Sequence, residues 1–560
     1  MPAGARRGAA GPGRPRHRRA TRRRGRGRPP RAGLRRTGEP GAARRRPDRV
    51  CRHRRRPGGG PVIRIALVPL DDRPVCRVLP ALVAAVAGAA VATPPAALLP
   101  AGRRAGDPDR LADWLRQEPA DAAVVALETL GHGGLIASRL HDEPVSTVLT
   151  RWAALRDRTG PVYASTVVQR TPDADDAGEE PAYWADHGRA LHAYSAALHR
   201  ALDAPGAVAR TDVPADLRRD FLRRRQRNHT LNQVALSLAA EGVLDTLVVG
   251  ADDTALAAVG TAEWRWLRTW AGWLELGDRA PAHPGADEIG AVLVARALTR
   301  AAGHAPRLAV ACAEPDGLSR VARYEPVPVG TGIASQAAAA GAVLVDTADA
   351  GAVDAADAVL VVHAPQPGEA DWATAPPPDT DPGAAARTAA LVRDLLTRGR
   401  TVALADCALG NGADPRLVAD LAADGSLARL AGFAGWNTAG NTLGSALATL
   451  VAYQVGRARG TLDVDAARRL LAHRLVDDHV WMSYARPRLR RELGTDPTRH
   501  DHVTAADTPA VTARVAALLD ERWAALRPVP GLRVAAGSVT LPWQRTYEID
   551  FLLEETGEQS

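Results

Sequence analysis

The sequence predicts an α/β fold with a mostly parallel sheet, either barrel-like or doubly wound, divided between two lobes. Short apolar runs rich in Val recur from residue 62 onward, as expected of strands that are buried on both faces. Predicted helices alternate with these runs, and that alternation is typical of folds with a parallel sheet. With 560 residues, 46% of them hydrophobic, the chain can build more than one large core.

Residues 1–61 are predicted to be a disordered leader, because they are rich in Arg, Gly and Pro and cannot build a core. Residues 1–60 hold 22 Arg against Glu39 and Asp48, a net charge of +20, whereas the whole chain carries +9. Residues 61–560 therefore carry −11, and we expect no nucleic-acid partner for the folded part. Three interpretations of the leader stay open: a basic tail that binds nucleic acid or anionic membrane, a targeting segment, or a translation start assigned upstream of Val62.

The apolar runs set the order of the predicted strands. The run 79–100 predicts a buried helix followed by a short strand, and 533–553 predicts strands joined by a turn. The other predicted strands are 64–70, 123–128, 161–168, 245–250, 307–312, 357–363 and 401–406.

Pairs of an N-cap residue and Pro predict where helices begin. Such pairs occur at Asp107-Pro108, Asp414-Pro415 and Thr508-Pro509. A further helix is predicted over 285–302, and we place a domain boundary after it, near residue 303. The predicted domains are therefore 62–303 and 304–560.

The cysteines indicate a reducing compartment. Cys51, Cys76, Cys312 and Cys407 are widely spaced, so we predict neither a zinc cluster nor a redox pair. So few cysteines are typical of a cytoplasmic protein. The leader lacks the apolar core of a signal peptide, and the run 79–100 contains too much Pro and Ala for a membrane span. We expect a cytoplasmic protein with no membrane partner.

Charged and amide residues cluster where the predicted strands end. The carboxyl ends of parallel strands meet at one edge of a sheet, where ligands bind in α/β proteins. We therefore expect these clusters to form one site. The candidates for substrate binding are Asp71, Asp72, Arg73, His132, Gly133, Gly134, Arg139, Asn411, Trp436, Asn437 and Asn441.

The predicted catalytic groups are Asp252, Asp253 and Glu128. Two adjacent carboxylates in a loop point in different directions, so one can stay ionised while the other has a raised pKa and acts as an acid. Glycosidases need such a pair. The structural alternative for each cluster is a cap or a salt bridge at the end of a strand.

The segment 435–444 contains two amides and an indole, which can recognise hydroxyl groups by hydrogen bonds and stacking. If a helix begins here, Asn437 and Asn441 share one face of it. A second polar helix face, with Arg225, Asn228, His229 and Asn232 at i, i+3, i+4 and i+7, either faces solvent or lines a cleft.

Several of these motifs, in this order, resemble one bacterial family, the domain of unknown function DUF4127. The motifs are Asp71-Asp72-Arg73-Pro74, 133–139, Gly250-Ala251-Asp252-Asp253, 285–288, Asn411-Gly412 and 435–438. The resemblance covers about 63–551 and implies a soluble bacterial protein, and it supplies no activity. His132 stands where we would expect Tyr, and Cys76 where a small polar residue is usual.

These observations predict an enzyme that acts on a carbohydrate or glycoside-like substrate, without a cofactor. One alternative is a metal-dependent hydrolase or lyase in which Asp71, Asp252 and Asp406 bind Mg²⁺ or Mn²⁺, because hard cations prefer oxygen ligands. A second alternative is a non-catalytic protein that binds a sugar or another metabolite. The oligomeric state cannot be derived from the sequence.

Overall fold

The computed structural model describes residues 62–204, 206–346, 351–368, 371–373, 381–494 and 502–556. They form an α/β fold with two open parallel sheets, which lie within one compact unit. Because neither sheet closes on itself, the sheets are doubly wound and not barrel-like. The predicted leader lies outside the described residues.

The first sheet has the strand order β2-β1-β3-β4-β5-β6, with every pair of neighbours parallel. Its strands are β1 (Arg64–Val68), β2 (Ala90–Ala92), β3 (Ala122–Ala126), β4 (Val162–Val168), β5 (Thr246–Ala251) and β6 (Ala282–Pro284).

The second sheet has the order β8-β7-β9-β10-β11 and is also parallel. It repeats the arrangement of the first five strands of the other sheet. Its strands are β7 (Arg307–Cys312), β8 (Val343–Leu344), β9 (Ala358–His363), β10 (Val402–Asp406) and β11 (Gly432–Ala434). A separate antiparallel pair consists of β12 (Leu532–Val534) and β13 (Leu553–Glu555).

Helices connect the strands and cover both faces of each sheet. They are α1 (Pro74–Val86), α2 (Pro108–Gln117), α3 (Leu127–His132), α4 (Leu135–Leu140), α5 (Val145–Trp152), α6 (Trp184–Asp203), α7 (Ala215–Ala240), α8 (Val259–Trp273), α9 (Ile289–Ala302), α10 (Val329–Ala340), α11 (Ala352–Ala355), α12 (Pro382–Thr397), α13 (Pro415–Ala423), α14 (Ala439–Arg459), α15 (Val464–Leu475), α16 (Arg486–Leu493) and α17 (Thr508–Leu526). A π-helical segment, Val476–Ala485, joins α15 to α16.

Helices α1, α9, α10 and α14 form a middle layer between the two sheets. One continuous apolar cluster contains Leu67 and Val124 from the first sheet, Leu360 from the second, and Val292 and Leu447 from the helices between them. Two further clusters lie on the outer faces of the sheets. Such burial on both faces explains why the strands read as continuous apolar runs.

The seven predicted strands between residues 64 and 406 are confirmed, with ends that differ by at most two residues. The stretch predicted over 533–553 instead holds the antiparallel pair β12 and β13 at its two ends, and residues 535–552 connect them. The helix and short strand predicted over 79–100 correspond to α1 and β2. At two of the predicted helix starts, Asp107 and Asp414 accept a hydrogen bond from a backbone N–H of the first turn. Helix α17 begins at Thr508, one residue before Pro509. The domain boundary near residue 303 stays a prediction.

Three short strands, β6, β8 and β11, were absent from the sequence prediction. Each has two or three residues and lies at an edge of its sheet, so it is too short to show a periodic pattern. No helix among the described residues is long and apolar enough to cross a membrane.

Candidate functional site

The carboxyl edges of the two sheets meet, and most of the predicted site residues lie where they meet. The backbone N–H of Thr254, after β5, donates to the carbonyl of Tyr324, after β7, at 3.2 Å. The Tyr324 hydroxyl donates to Asp371 at 2.6 Å, and Asn411, after β10, donates to the same carboxylate at 2.9 Å. Loops from both sheets therefore build one polar region.

Residues 543–550, which we name the bridging segment, contact both edges. Arg545 donates to Glu179, in the loop after β4 of the first sheet, at 2.5 Å. The hydroxyl of Tyr547 donates to the side-chain oxygens of Asn411 and Asn437, which follow β10 and β11 of the second sheet. Glu548 forms an ion pair with Arg73 at 3.5 Å. The site is therefore completed by a segment distant in sequence from the strands.

Arg73 is the centre of the first group of ion pairs. Its Nη2 lies 2.7 Å from Asp71 and 2.6 Å from Asp287, and its side chain is 11% exposed. Burial raises the pKa of Asp287 to about 7, which Arg73 opposes and Asp71 reinforces. One guanidinium thus forms ion pairs with several buried carboxylates.

Arg139 and Arg170 hold the second group. Arg139 forms ion pairs with Glu180 at 2.8 Å and with Asp252. Arg170 contacts Glu179 at 2.8 Å and Asp253 at 3.2 Å. Glu179 also accepts from Arg545, so these pairs are continuous with the bridging segment.

Asp252 and Asp253 have different surroundings, as the sequence predicts. The side chain of Asp253 is 32% exposed, against 14% for Asp252. Burial raises the pKa of Asp253 to about 6, the negative charge of Asp252 adds to this effect, and Arg170 opposes it. Asp253 is therefore a partly exposed carboxyl that is easier to protonate than an ordinary aspartate.

Asp72 faces a cavity of about 490 Å³, which we name the first cavity. Trp543 donates its indole N–H to Asp72 at 2.8 Å, and Trp543 adopts a left-handed backbone conformation with φ of 55°. Burial raises the pKa of Asp72, and the bond from Trp543 partly offsets the effect. The other charged or titratable residues that line the cavity are Arg103, Glu179, His502 and Arg545.

Glu128 and His132 lie apart from this network. Glu128, in the first turn of α3, accepts from the N–H of Val167 at 2.8 Å and from Thr166, and burial raises its pKa to about 7. His132 is buried, its ring nitrogens have no hydrogen-bond partner among the described residues, and burial lowers its pKa to about 3. His132 is therefore neutral at ordinary pH.

Gly133 and Gly134 are required by the fold at this point. Gly133 ends α3 in the left-handed conformation, with φ of 77°. A Cβ on Gly133 would lie 2.8 Å from the carbonyl oxygen of Gly106, and one on Gly134 would lie 2.7 Å from Pro100. The pair therefore permits close packing against a neighbouring loop of the protein itself.

The polar face of α7 is largely buried and is not a solvated surface. Asn228 donates to the carbonyl of Ser138 at 3.0 Å, and Asn232 donates to Thr166 at 2.8 Å. Arg225 forms an ion pair with Glu263 at 2.5 Å. These contacts attach α7 to the first sheet and to α4.

In the segment 435–444, Asn437 and Asn441 do not share a helix face, contrary to the expectation from the sequence. Helix α14 begins at Ala439 with Thr438 as its N-cap, and Asn437 precedes it with φ of 54°. Asn437 contacts Tyr547, whereas Asn441 donates to Thr438 at 3.1 Å. The indole N–H of Trp436 donates to Ser445 at 3.1 Å within the core.

The structure does not bring Asp71, Asp252 and Asp406 together as one metal site. Asp406 is fully buried at the end of β10 and accepts from the backbone N–H of Asp414 at 2.7 Å. Among the described residues, the group with ligand atoms within 4.8 Å of one another is Asp71, Cys76 and Asp287. Arg73 contacts both of its carboxylates, so a guanidinium already supplies the positive charge there.

Sequence reasoning missed several residues of the network. Arg170 lies two residues after the strand predicted over 161–168, so its position at a strand end could have marked it as a site residue. Asp287 lies in the first turn of the helix predicted over 285–302, where an acidic residue also complements the helix dipole, and Arg545 lies within the strands predicted over 533–553. The loop residues Glu179, Tyr324, Asp371, Tyr547 and Glu548 carry no pattern that marks them.

Comparison with known proteins adds a family but no activity. A family model described as a protein of unknown function (DUF4127) matches residues 65–552, which is most of the chain. No curated protein and no solved structure matches the chain.

Proposed function

The chain belongs to the DUF4127 family, whose function is unknown, and we propose from the site itself that the protein is an enzyme acting on a carbohydrate or glycoside-like substrate. The observation that carries the proposal is Asp253, an accessible carboxyl with a pKa of about 6. Such a group can protonate the oxygen that leaves when a glycosidic bond breaks. Its neighbour Asp252 is held by Arg139 and supplies the second carboxylate.

The first cavity supports a substrate with many hydroxyl groups. Its volume of about 490 Å³ lies within the usual range for small-molecule sites. Carboxylates of Asp72 and Glu179 can accept hydrogen bonds from hydroxyls, and Arg103 and Arg545 can donate to them. Asp253 does not line this cavity, but it lies close to its wall, because Arg170 contacts both Asp253 and the lining residue Glu179.

The proposed roles follow from these contacts. Asp253 gives its proton to the leaving oxygen, a water molecule adds to the anomeric carbon, and the carboxylate of Asp252 takes the proton that this water loses. Asp72 and Glu179 bind hydroxyls in the cavity. Arg73 and Asp71 position the bridging segment through Glu548, and Asn411 and Asn437 position it through Tyr547.

The test is hydrolysis of a panel of 4-nitrophenyl glycosides that covers both anomers of the common hexoses and N-acetylhexosamines. We expect turnover of at least one member, with a rate that falls as the pH rises through about 6, because Asp253 then loses its proton. Asp253→Asn should lower kcat by roughly 10²-fold or more, the usual contribution of a general acid. Asp113→Asn, at a side chain 66% exposed, is the matched control and should keep full activity.

Three other outcomes would contradict the proposal. Turnover that Asp253→Asn leaves unchanged would remove Asp253 as the acid. Thermal stabilisation by a sugar without any turnover would indicate the non-catalytic binding protein. Stabilisation by Mg²⁺ or Mn²⁺ that a chelator reverses, together with metal-dependent activity, would indicate the metal-dependent hydrolase or lyase.

A further inference from the structure

The second sheet has a reversal of strand order of its own. In the order β8-β7-β9-β10-β11 the chain changes direction between β7 and β9, just as the first sheet does between β1 and β3. In open parallel sheets, ligands bind in the crevice outside the carboxyl ends of the strands at such a point. The proposed function uses the carboxyl edge of the first sheet and leaves the crevice of the second without a role.

A cavity of about 400 Å³, which we name the second cavity, lies at this reversal. Its walls are residues 320–323 after β7, 365–368 after β9 and 407–410 after β10, with Ala439 at the start of α14. Loops from the strands on both sides of the reversal thus enclose it. Its volume is sufficient for a small metabolite.

The charged groups on the walls are basic. Arg320 and Arg323 line the second cavity, and no carboxylate does so among the described residues. The first cavity differs, since the carboxylates of Asp72 and Glu179 line it. The remaining walls are mainly Ala, Pro, Leu and backbone, so they provide apolar surface beside the two guanidinium groups.

Both arginines are held in place. Arg320 donates to the carbonyl of Pro365 at 3.1 Å, which links the loop after β7 to the loop after β9, and it contacts Asp316 at 2.8 Å. The guanidinium carbon of Arg323 lies 4.9 Å from the centre of the Tyr324 ring. Arg320 also pairs with Glu314 at 3.4 Å, so two carboxylates offset its charge and an anion can take only its remaining Nη1–H. Arg323, whose planar guanidinium suits a phosphate or carboxylate, is therefore the principal contact for an anion in the cavity.

We propose that the second cavity binds a small anionic metabolite, with Arg323 and Arg320 contacting its phosphate or carboxylate group and the apolar walls contacting the rest. This inference is independent of the proposed function, because it uses a different cavity and different residues. Tyr324 and Asn411 adjoin the lining residues Arg323 and Gly410 in the sequence. They belong to the polar region where the edges of the two sheets meet.

The test measures binding of inorganic phosphate, pyrophosphate and citrate to the full chain by calorimetry, at an ionic strength kept constant with chloride. We expect saturable binding of at least one probe, and the phosphate and citrate arms distinguish the two anion types. Arg323→Gln should weaken this binding at least tenfold. Arg398→Gln, at a side chain 42% exposed in the same half of the chain, is the matched control.

Three results would overturn the proposal. They are no saturable binding of any probe, equal binding by Arg323→Gln, and loss of binding in Arg103→Gln, which would place the anion in the first cavity. Arg323→Lys guards against a variant that fails to fold, because it keeps the charge and loses the planar fork. We expect Arg323→Lys to bind more weakly than the unaltered chain and more tightly than Arg323→Gln.

Discussion

Adjacent residues in this protein have different surroundings, because each contacts a different arginine and is exposed to a different extent. Asp252 is held by Arg139 and Asp253 by Arg170, and the second aspartate is more than twice as exposed as the first, at 32% against 14%. Burial and the neighbouring charge then raise the pKa of Asp253 to about 6. One loop thus gives two adjacent carboxylates different partners and different exposure, which is what the proposed acid and its neighbour require.

Glu128 should make the stability of the protein depend on pH. Its pKa is raised from 4.5 to about 7 in the folded chain, so folding favours the protonated form. The resulting stabilisation is complete below pH 4.5 and is lost as the pH rises through about 7. A shift of this size corresponds to about 3 kcal/mol. Glu128→Gln should remove this dependence and therefore be the more stable form at pH 8.

Urea denaturation at pH 5 and pH 8 measures the effect as a change in the free energy of unfolding. Glu241→Gln, at a side chain 51% exposed, is the control and should follow the unaltered chain at both pH values. A Glu128→Gln variant with the same pH dependence as the unaltered chain would show that Glu128 is ionised in the folded state.

At the scale of the elements, the close packing of α14 against the middle layer depends on its glycines. A Cβ on Gly440 would lie 2.6 Å from the carbonyl oxygen of Pro284. A Cβ on Gly444 would lie 2.4 Å from Cγ of Glu288 and 3.1 Å from Val292 of α9. The helix that carries Asn441 can therefore approach α9 only where side chains are absent.

Gly444→Ala should lower the free energy of unfolding by about 1–3 kcal/mol, the usual cost of overpacking a core. Gly272→Ala in α8 is the matched control, because a Cβ there meets no atom within 4 Å. The control should be neutral or stabilise by up to about 1 kcal/mol, since Ala favours a helix more than Gly does. Chemical denaturation compares the two variants, and equal effects would contradict the packing argument.

At the scale of the whole molecule, the two sheets share one apolar cluster through the middle layer. Leu67 and Leu360, from different sheets, belong to it, and so does Leu447 of α14. The same helices pack against both sheets. Opening either sheet therefore exposes the side of the middle layer that packs against it. We therefore expect both sheets to unfold together, although each has an outer cluster of its own.

Hydrogen exchange followed by mass spectrometry measures this coupling. Peptides from β3 and β9 should exchange only through global unfolding, with opening free energies that agree within about 1 kcal/mol. A second sheet that opens at a distinctly lower free energy would instead support two separate folding units, divided near residue 303.

Much of the fold could be predicted because long strands carry a continuous apolar signal, as β4 and β9 do. The short edge strands β6, β8 and β11 could not, because two or three residues are too few to show a periodic pattern. The clusters at Asp71, Asp252 and Asn411 were found since each follows a predicted strand. The contact of Arg545 with Glu179 spans 366 residues, and no local pattern encodes it.

The position of the bridging segment has a consequence for the order of events during synthesis. A ribosome completes β1 to β6, and later β7 to β11, well before it reaches Trp543. Until residues 543–550 emerge, Glu179 has no Arg545 and Arg73 has no Glu548. The nascent chain can therefore acquire both sheets while the network of ion pairs at their edges is still incomplete, and that network closes only after residues 543–550 have been synthesised.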